Sequence, residues 1–270
     1  MQHGDTSMPD SAGRQANGLV LSRQHNARLT AMVSHGDETS ELPLLWRLCM
    51  AWVDLGYPVT VLDAGTRESA ENPGLENLLD MPGTQLTQYQ DATAWNVIPS
   101  AIGLQTLVDS PKKDIPLEYQ LGGLFADDGI VVVYASASML AQLLNDQNLH
   151  PLMTVSSARA SLLTGYQSLK RLLGTPGLTP LVVDQATRNN LDAVRSISAA
   201  ETLADCARNF LSLELSLVHL PAPTNDGHSS TDQQGLALRV LEDAIALCGR
   251  KTLNNPTGAK MDTWQISRNH

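Results

Sequence analysis

The chain has 270 residues, of which 42% are hydrophobic but only 4% aromatic, and it carries a formal charge of −10. That is enough apolar material for one large α/β domain with an aliphatic core, and the acidity argues against a nucleic-acid-binding surface. No window approaches about 18 uninterrupted apolar residues, so no helical membrane span is expected.

Residues 1–20 are polar, lack the apolar core of a signal peptide and read as a disordered arm, which points to a cytoplasmic location. The stretch from Leu29 to Ala64 then reads as strand, loop, helix, turn and strand. Leu29–Ser34 is an apolar run of strand length, and Val59–Leu62 is a β-branched run ending in Asp63. Between them Leu44, Leu45, Leu48, Cys49, Trp52, Val53 and Leu55 recur at helical spacing, with Gly56 as a C-cap and Pro58 beyond it. The first loop of such a βαβ unit is where α/β proteins usually hold a phosphate. Here that loop, His35–Glu41, is acidic and has one glycine.

Further along, Leu75–Met81 reads as a short helix and Trp95–Ile98 as a third strand. Residues 100–126 hold one or two leucine-spaced helices. Gly129–Tyr134 is the strongest strand signal, a continuous β-branched run suited to a central parallel strand. Ser138–Asn145 reads as helix, Pro151–Val155 as strand, Ala160–Leu173 as helix and Leu178–Val183 as strand. A helix over Ala199–Phe210, a strand over Leu213–Leu220 and a last helix over Gln234–Cys248 complete the series. Alternation of this kind predicts a doubly wound, mainly parallel sheet of about seven strands flanked by helices. One domain over residues 21–250 is expected, with a disordered tail over 251–270. The three cysteines, Cys49, Cys206 and Cys248, have no metal-like spacing and read as buried free thiols.

The ordered set of strings resembles the MinD/ParA class of P-loop ATPases, and within it the bacterial regulators of flagellar number and of cellulose secretion. That class shows a strand, a KGGxGKT loop, a helix ending in Leu-Gly and a strand ending in Asp. Leu55-Gly56, Val59–Leu62 and Asp63-Ala64 match it. Ser161, Leu162 and Tyr166 keep register with a later family string, and Arg208, Phe210 and Leu211 match another. The resemblance spans roughly residues 28–222 and implies a P-loop NTPase-like fold.

Carried over by counting back from Leu55-Gly56, the family's phosphate-binding lysine falls on Glu41 and its magnesium-binding hydroxyl on Leu42. The signature lysine falls near Gly36, and the loop glycines fall on Asp37, Glu38 and Ser40. His35, Gly36, Asp37, Glu38, Thr39, Ser40 and Glu41 thus stand as degenerate phosphate-loop positions. Phosphate cradles need converging backbone N–H groups, which glycines allow through positive φ, and a lysine for charge. Non-glycine residues there cost about 1–2 kcal/mol each. The family's magnesium-holding Asp on the central strand has Tyr134 as its counterpart, while Asp63 is kept.

The expected function is therefore a non-catalytic, pseudo-ATPase regulator acting through an unidentified protein partner, with no cofactor. A homodimer and peripheral membrane contact are compatible with this reading. The rivals are an active ATPase using ATP and Mg with Asp63 as its catalytic carboxylate, and an unrelated metal-dependent α/β enzyme. For the latter, Asp37, Glu38, Glu41 and Asp63 would be the ligands. Set against that metal site is a solvated acidic loop with Asp37 or Thr39 as helix N-cap. His35, as a lone loop histidine, is expected to be solvated.

Overall fold

The computed structural model describes residues 26–81, 95–110, 115–125, 128–145, 147–175, 178–185, 198–222 and 230–248. The arm over 1–20 and the tail over 251–270 lie outside the described residues. The chain runs β1 (Arg28–Ser34), α1 (Glu38–Asp54), β2 (Val59–Asp63), α2 (Leu75–Asp80), β3 (Trp95–Pro99), α3 (Ala101–Asp109) and α4 (Leu117–Gln120). It continues through β4 (Ile130–Ser136), α5 (Ala137–Leu143), β5 (Leu152–Thr154), α6 (Arg159–Leu173) and β6 (Leu181–Gln185). The last elements are α7 (Ala199–Leu211), β7 (Ser216–Leu220), α8 (Thr231–Glu242) and β8 (Ile245–Ala246).

The strands lie in the order β3-β2-β4-β1-β5-β6-β7, and every neighbouring pair along that path is parallel. The expected doubly wound sheet is therefore present. Strands alternate their side chains between two faces. Val131, Val133 and Ala135 of β4 join the core built with α2, α3, α5, α6 and α7. Ile130, Val132 and Tyr134 point the other way, into the core under α1 and α8. Because both faces are covered, the central strands are apolar throughout. The order reverses at β1, whose neighbours are β4 and β5, so the loop after β1 opens at the switch point where α/β sheets bind ligands.

The C-terminal region differs from the sequence expectation. The helix expected over Gln234–Cys248 ends at Glu242, and Ile245–Ala246 instead pair antiparallel with Leu29 and Arg28 at the start of β1. The apolar spacing of Ala244, Ile245 and Cys248 fits either helix or a short strand, and the start of β1 decides, because β5 pairs with β1 only at Met32 and leaves Arg28 and Leu29 free on that side. The helix α8 itself docks on the sheet, burying Leu236, Ala237, Val240 and Leu241, and its Ala237 carbonyl accepts from the Trp52 indole at 3.0 Å. No described helix is long and apolar enough to cross a membrane.

The strap made by β8 explains Gly122. A Cβ there would lie 1.8 Å from the carbonyl oxygen of Cys248, whose N–H donates to Glu118 O at 3.1 Å. Gly235, inside α8, has open space around its missing Cβ. Gly122→Ala is expected to destabilise by about 1–3 kcal/mol or more, because backbone has to move. Gly235→Ala should stabilise by roughly 0.5–1 kcal/mol through helix propensity. Urea-unfolding midpoints of the two variants check the opposite signs.

Of the cysteines, only Cys49 is buried, and burial pushes its thiol up to about 12. Cys206 and Cys248 are half-buried, because they sit at the margins of α7 and the strap rather than in a helix core.

Candidate functional site at the end of β1

The loop after β1 is shorter than its sequence suggests. Helix α1 begins at Glu38, so only His35, Gly36 and Asp37 lie between strand and helix. Glu38, Thr39, Ser40 and Glu41 form the first turn of α1, and Pro43 sits inside the helix rather than at its boundary. Gly36 takes φ +91°, the left-handed turn that glycine permits without a Cβ penalty.

That turn brings the N–H groups of His35 and Asp37 onto a single atom. Both donate to Oε1 of Glu41, each at 2.9 Å. The other carboxylate oxygen, Oε2, accepts from the Tyr134 hydroxyl. Glu41 is completely buried. Convergent backbone N–H groups after a positive-φ glycine make an anion-binding nest. Here the chain's own carboxylate fills it.

His35 is not solvated, contrary to the sequence expectation; its side chain is fully buried. Nε2 lies 2.7 Å from the carbonyl oxygen of Thr154, an acceptor only, so Nε2 carries a proton. Nδ1 pairs with Thr164 Oγ1 at 3.0 Å, and Nε2 also stands 3.4 Å from Glu41 Oε1. With both ring nitrogens engaged by β5 and α6, His35 fastens the loop rather than serving as a general base.

Asp37 occupies the N-cap position of α1, but its side chain caps no backbone N–H of that helix. Its Oδ1 accepts from Thr39 Oγ1 at 2.6 Å, and Oδ2 accepts from Ser40 Oγ at 2.8 Å and Ser156 N–H at 3.1 Å. The Ser161 hydroxyl completes the set. Burial alone would raise this carboxyl, but the donors from Ser161, Thr39, Ser156 and Ser40 together hold it well below the usual carboxylate range. The solvated acidic loop expected from the sequence is thus a buried junction between β1, α1 and the turn before α6. Only Glu38 and Thr39 of its polar side chains face solvent.

Tyr134 and Asp63 lie in register on β4 and β2, in line with Met32 of β1. Burial pushes the Tyr134 phenol up, and its hydrogen bond to Glu41 adds to the rise. Among the described hydrogen bonds, none joins Asp63 to the nest. Its Oδ1 accepts from Gly65 N–H at 2.8 Å and its Oδ2 from Thr66 Oγ1 at 2.6 Å, so it shapes the turn that follows β2.

A second helix start is served in the same way. Glu68, 7% exposed, accepts from Ile102 N–H at 2.7 Å and Gly103 N–H at 2.8 Å in the first turn of α3. Nothing in the spacing of residues 65–71 singles out Glu68, and neither Thr154 nor Thr164 stands out in its local string. Asp37, Glu38, Glu41 and Asp63 are not brought together. Among the described residues no group of three His, Cys, Asp or Glu side chains is placed to hold a metal ion.

No family model matches the chain, and no curated protein matches it in sequence. The similar solved structures include MinD and ParA ATPases. The MinD cell division protein of Aquifex aeolicus is 12% identical with a TM-score of 0.44, covering 82% of this chain and 100% of that one. The ParA family ATPase of Chlorobium tepidum TLS is 13% identical with a TM-score of 0.44, covering 80% and 97%. The cell division ATPase MinD of Pyrococcus furiosus is 14% identical with a TM-score of 0.44, covering 80% and 98%. Likeness this distant carries no functional conclusion.

Proposed function

We propose that this chain is a non-catalytic regulatory protein, a pseudo-ATPase in the sense of the sequence resemblance, that acts by binding a protein partner. The observation that carries the reading is the Glu41 carboxylate on the N–H groups of His35 and Asp37. These are the groups a phosphate would need, and they already hold an anion of the chain's own. The residues at this site do not fit a nucleoside triphosphate and magnesium. A phosphate oxygen would have to displace a buried carboxylate, and the position of the family's lysine is occupied by that carboxylate. Two like charges about 4 Å apart repel by about 1 kcal/mol even at the dielectric of water, and by more in a buried site.

The surface remaining for a partner is the one formed by the loops at this end of the sheet, including Gly65–Glu71. The cellular settings that the resemblance suggests are control of flagellar number or placement, or of cellulose secretion. A fluorescent ATP or ADP analogue titrated with magnesium should show no binding below the millimolar range. Saturable, magnesium-dependent binding below that range overturns the reading and favours the active-ATPase rival. Turnover lost on Asp63→Ala would then place Asp63 in catalysis.

A further inference from the structure

Arg47 presents the reverse of the Glu41 arrangement: a buried charge with no counter-charge among the described residues. It lies in the third turn of α1 and is 8% exposed. Its Nη2 donates to the carbonyl oxygen of Pro221, just past β7, at 2.7 Å. Its Nε is buried and has no acceptor among the described residues. No described ion pair includes it. Burial alone moves its pKa, downward, but a guanidinium still keeps its proton at ordinary pH. A buried cation compensated by one carbonyl is costly unless an anion joins it.

A second feature beside Arg47 favours an anion. Gln233, in the first turn of α8 and 7% exposed, donates from Nε2 to the Arg47 carbonyl at 3.0 Å. This fixes the N-terminal turn of the twelve-residue α8 beside the third turn of α1. The N-terminus of α8 presents the positive end of its dipole there. Its capping box is complete, with Ser230 Oγ accepting from Gln233 N–H at 3.3 Å and Gln233 Oε1 accepting from Ser230 N–H at 3.2 Å. Asp232, exposed in the same turn, is the opposing charge and disfavours a polyanion.

We propose that Arg47 and the first turn of α8 form a binding site for a single oxyanion, a carboxylate or a phosphate group, between α1, α8 and the end of β7. The site is separate from the Glu41 nest, so its failure and the failure of the proposed function are independent.

The test uses the full chain and inorganic phosphate or acetate, each compared with chloride at equal ionic strength. The thermal unfolding midpoint of the wild type should rise saturably with phosphate, with acetate, or with both. A response to phosphate alone identifies a phosphate site, and a response to acetate alone identifies a carboxylate site. Arg47→Met keeps the aliphatic stem packed and should show neither response. If Arg47→Met does not fold, Arg47→Lys takes its place, and its apparent affinity should be about tenfold weaker because the planar fork is lost. No ion-specific rise in the wild type overturns the proposal. An undiminished response in the variant that folds overturns it equally.

Discussion

Glu41→Ala is expected to destabilise the fold by about 3–5 kcal/mol, among the largest effects of any single substitution in the chain. The side chain is fully buried and accepts from two backbone N–H groups and one phenol. Its removal leaves all three donors without an acceptor, in a cavity closed by His35 and Tyr134. The cost of an unmet buried donor is about 1–3 kcal/mol, and three of them share this space. Glu41→Gln should cost less, roughly 1–3 kcal/mol, because one amide oxygen still serves the N–H pair while the amide nitrogen faces the tyrosine hydroxyl. Urea unfolding of the two variants and the wild type gives the order directly. A cost below about 1 kcal/mol for the alanine variant would mean that water or another group reaches the nest.

Asp37 gives the second large effect, and its sign follows from its hydrogen bonds. The folded chain keeps this carboxyl ionised to lower pH than the unfolded chain, whose aspartates titrate near about 3.9. The stabilisation from Asp37 is therefore complete above that value and is lost as the pH falls toward the folded-state range. Wild-type unfolding free energy should drop on acidification from about pH 5 downward. Asp37→Asn should be destabilised by about 2–4 kcal/mol at neutral pH, since an amide nitrogen cannot accept from the hydroxyl donors it meets. Its acid slope should be shallower. Unfolding curves measured across this pH window check both statements, and parallel slopes for the two proteins would show that the carboxyl is not held by its four donors.

Both effects arise at residues whose role the sequence shows only in part. The strands and their order of appearance were legible because continuous β-branched runs such as Ile130–Val133 have few other homes. Gly56 was legible as a helix end, and it does take φ +88°. The boundaries that moved did so where two structures compete for the same string. Glu38–Glu41 reads as polar loop, yet these residues complete the first turn of α1 because Asp37 and Glu41 find buried donors. The stretch Ala244–Cys248 reads as helix, yet the start of β1, beyond the reach of the short β5, offers it a pairing position.

The site was half legible. Counting from Leu55-Gly56 puts Glu41 where the family has a lysine, and the end of the central strand puts Tyr134 where it has an Asp; that the two residues bond to each other is visible only in the structure. As a string, the acidic residues read as a solvated loop. Charge counting alone cannot tell an anion that repels a ligand from one that occupies the ligand's place. The difference lies in where Oε1 sits relative to two backbone N–H groups, and that depends on the φ of Gly36 and on a helix starting at Glu38. The burial of His35 was hidden for a similar reason, since its partners Thr154 and Thr164 are 119 and 129 residues away in sequence.

Glu41 occupies the His35 and Asp37 amides, and these two N–H groups report on that occupation directly. In a ¹⁵N-labelled sample titrated with ATP and magnesium, their amide resonances should stay in place and their hydrogen exchange should remain slow. Saturable shifts of these two resonances at submillimolar nucleotide, with Glu41 released from the nest, would contradict it.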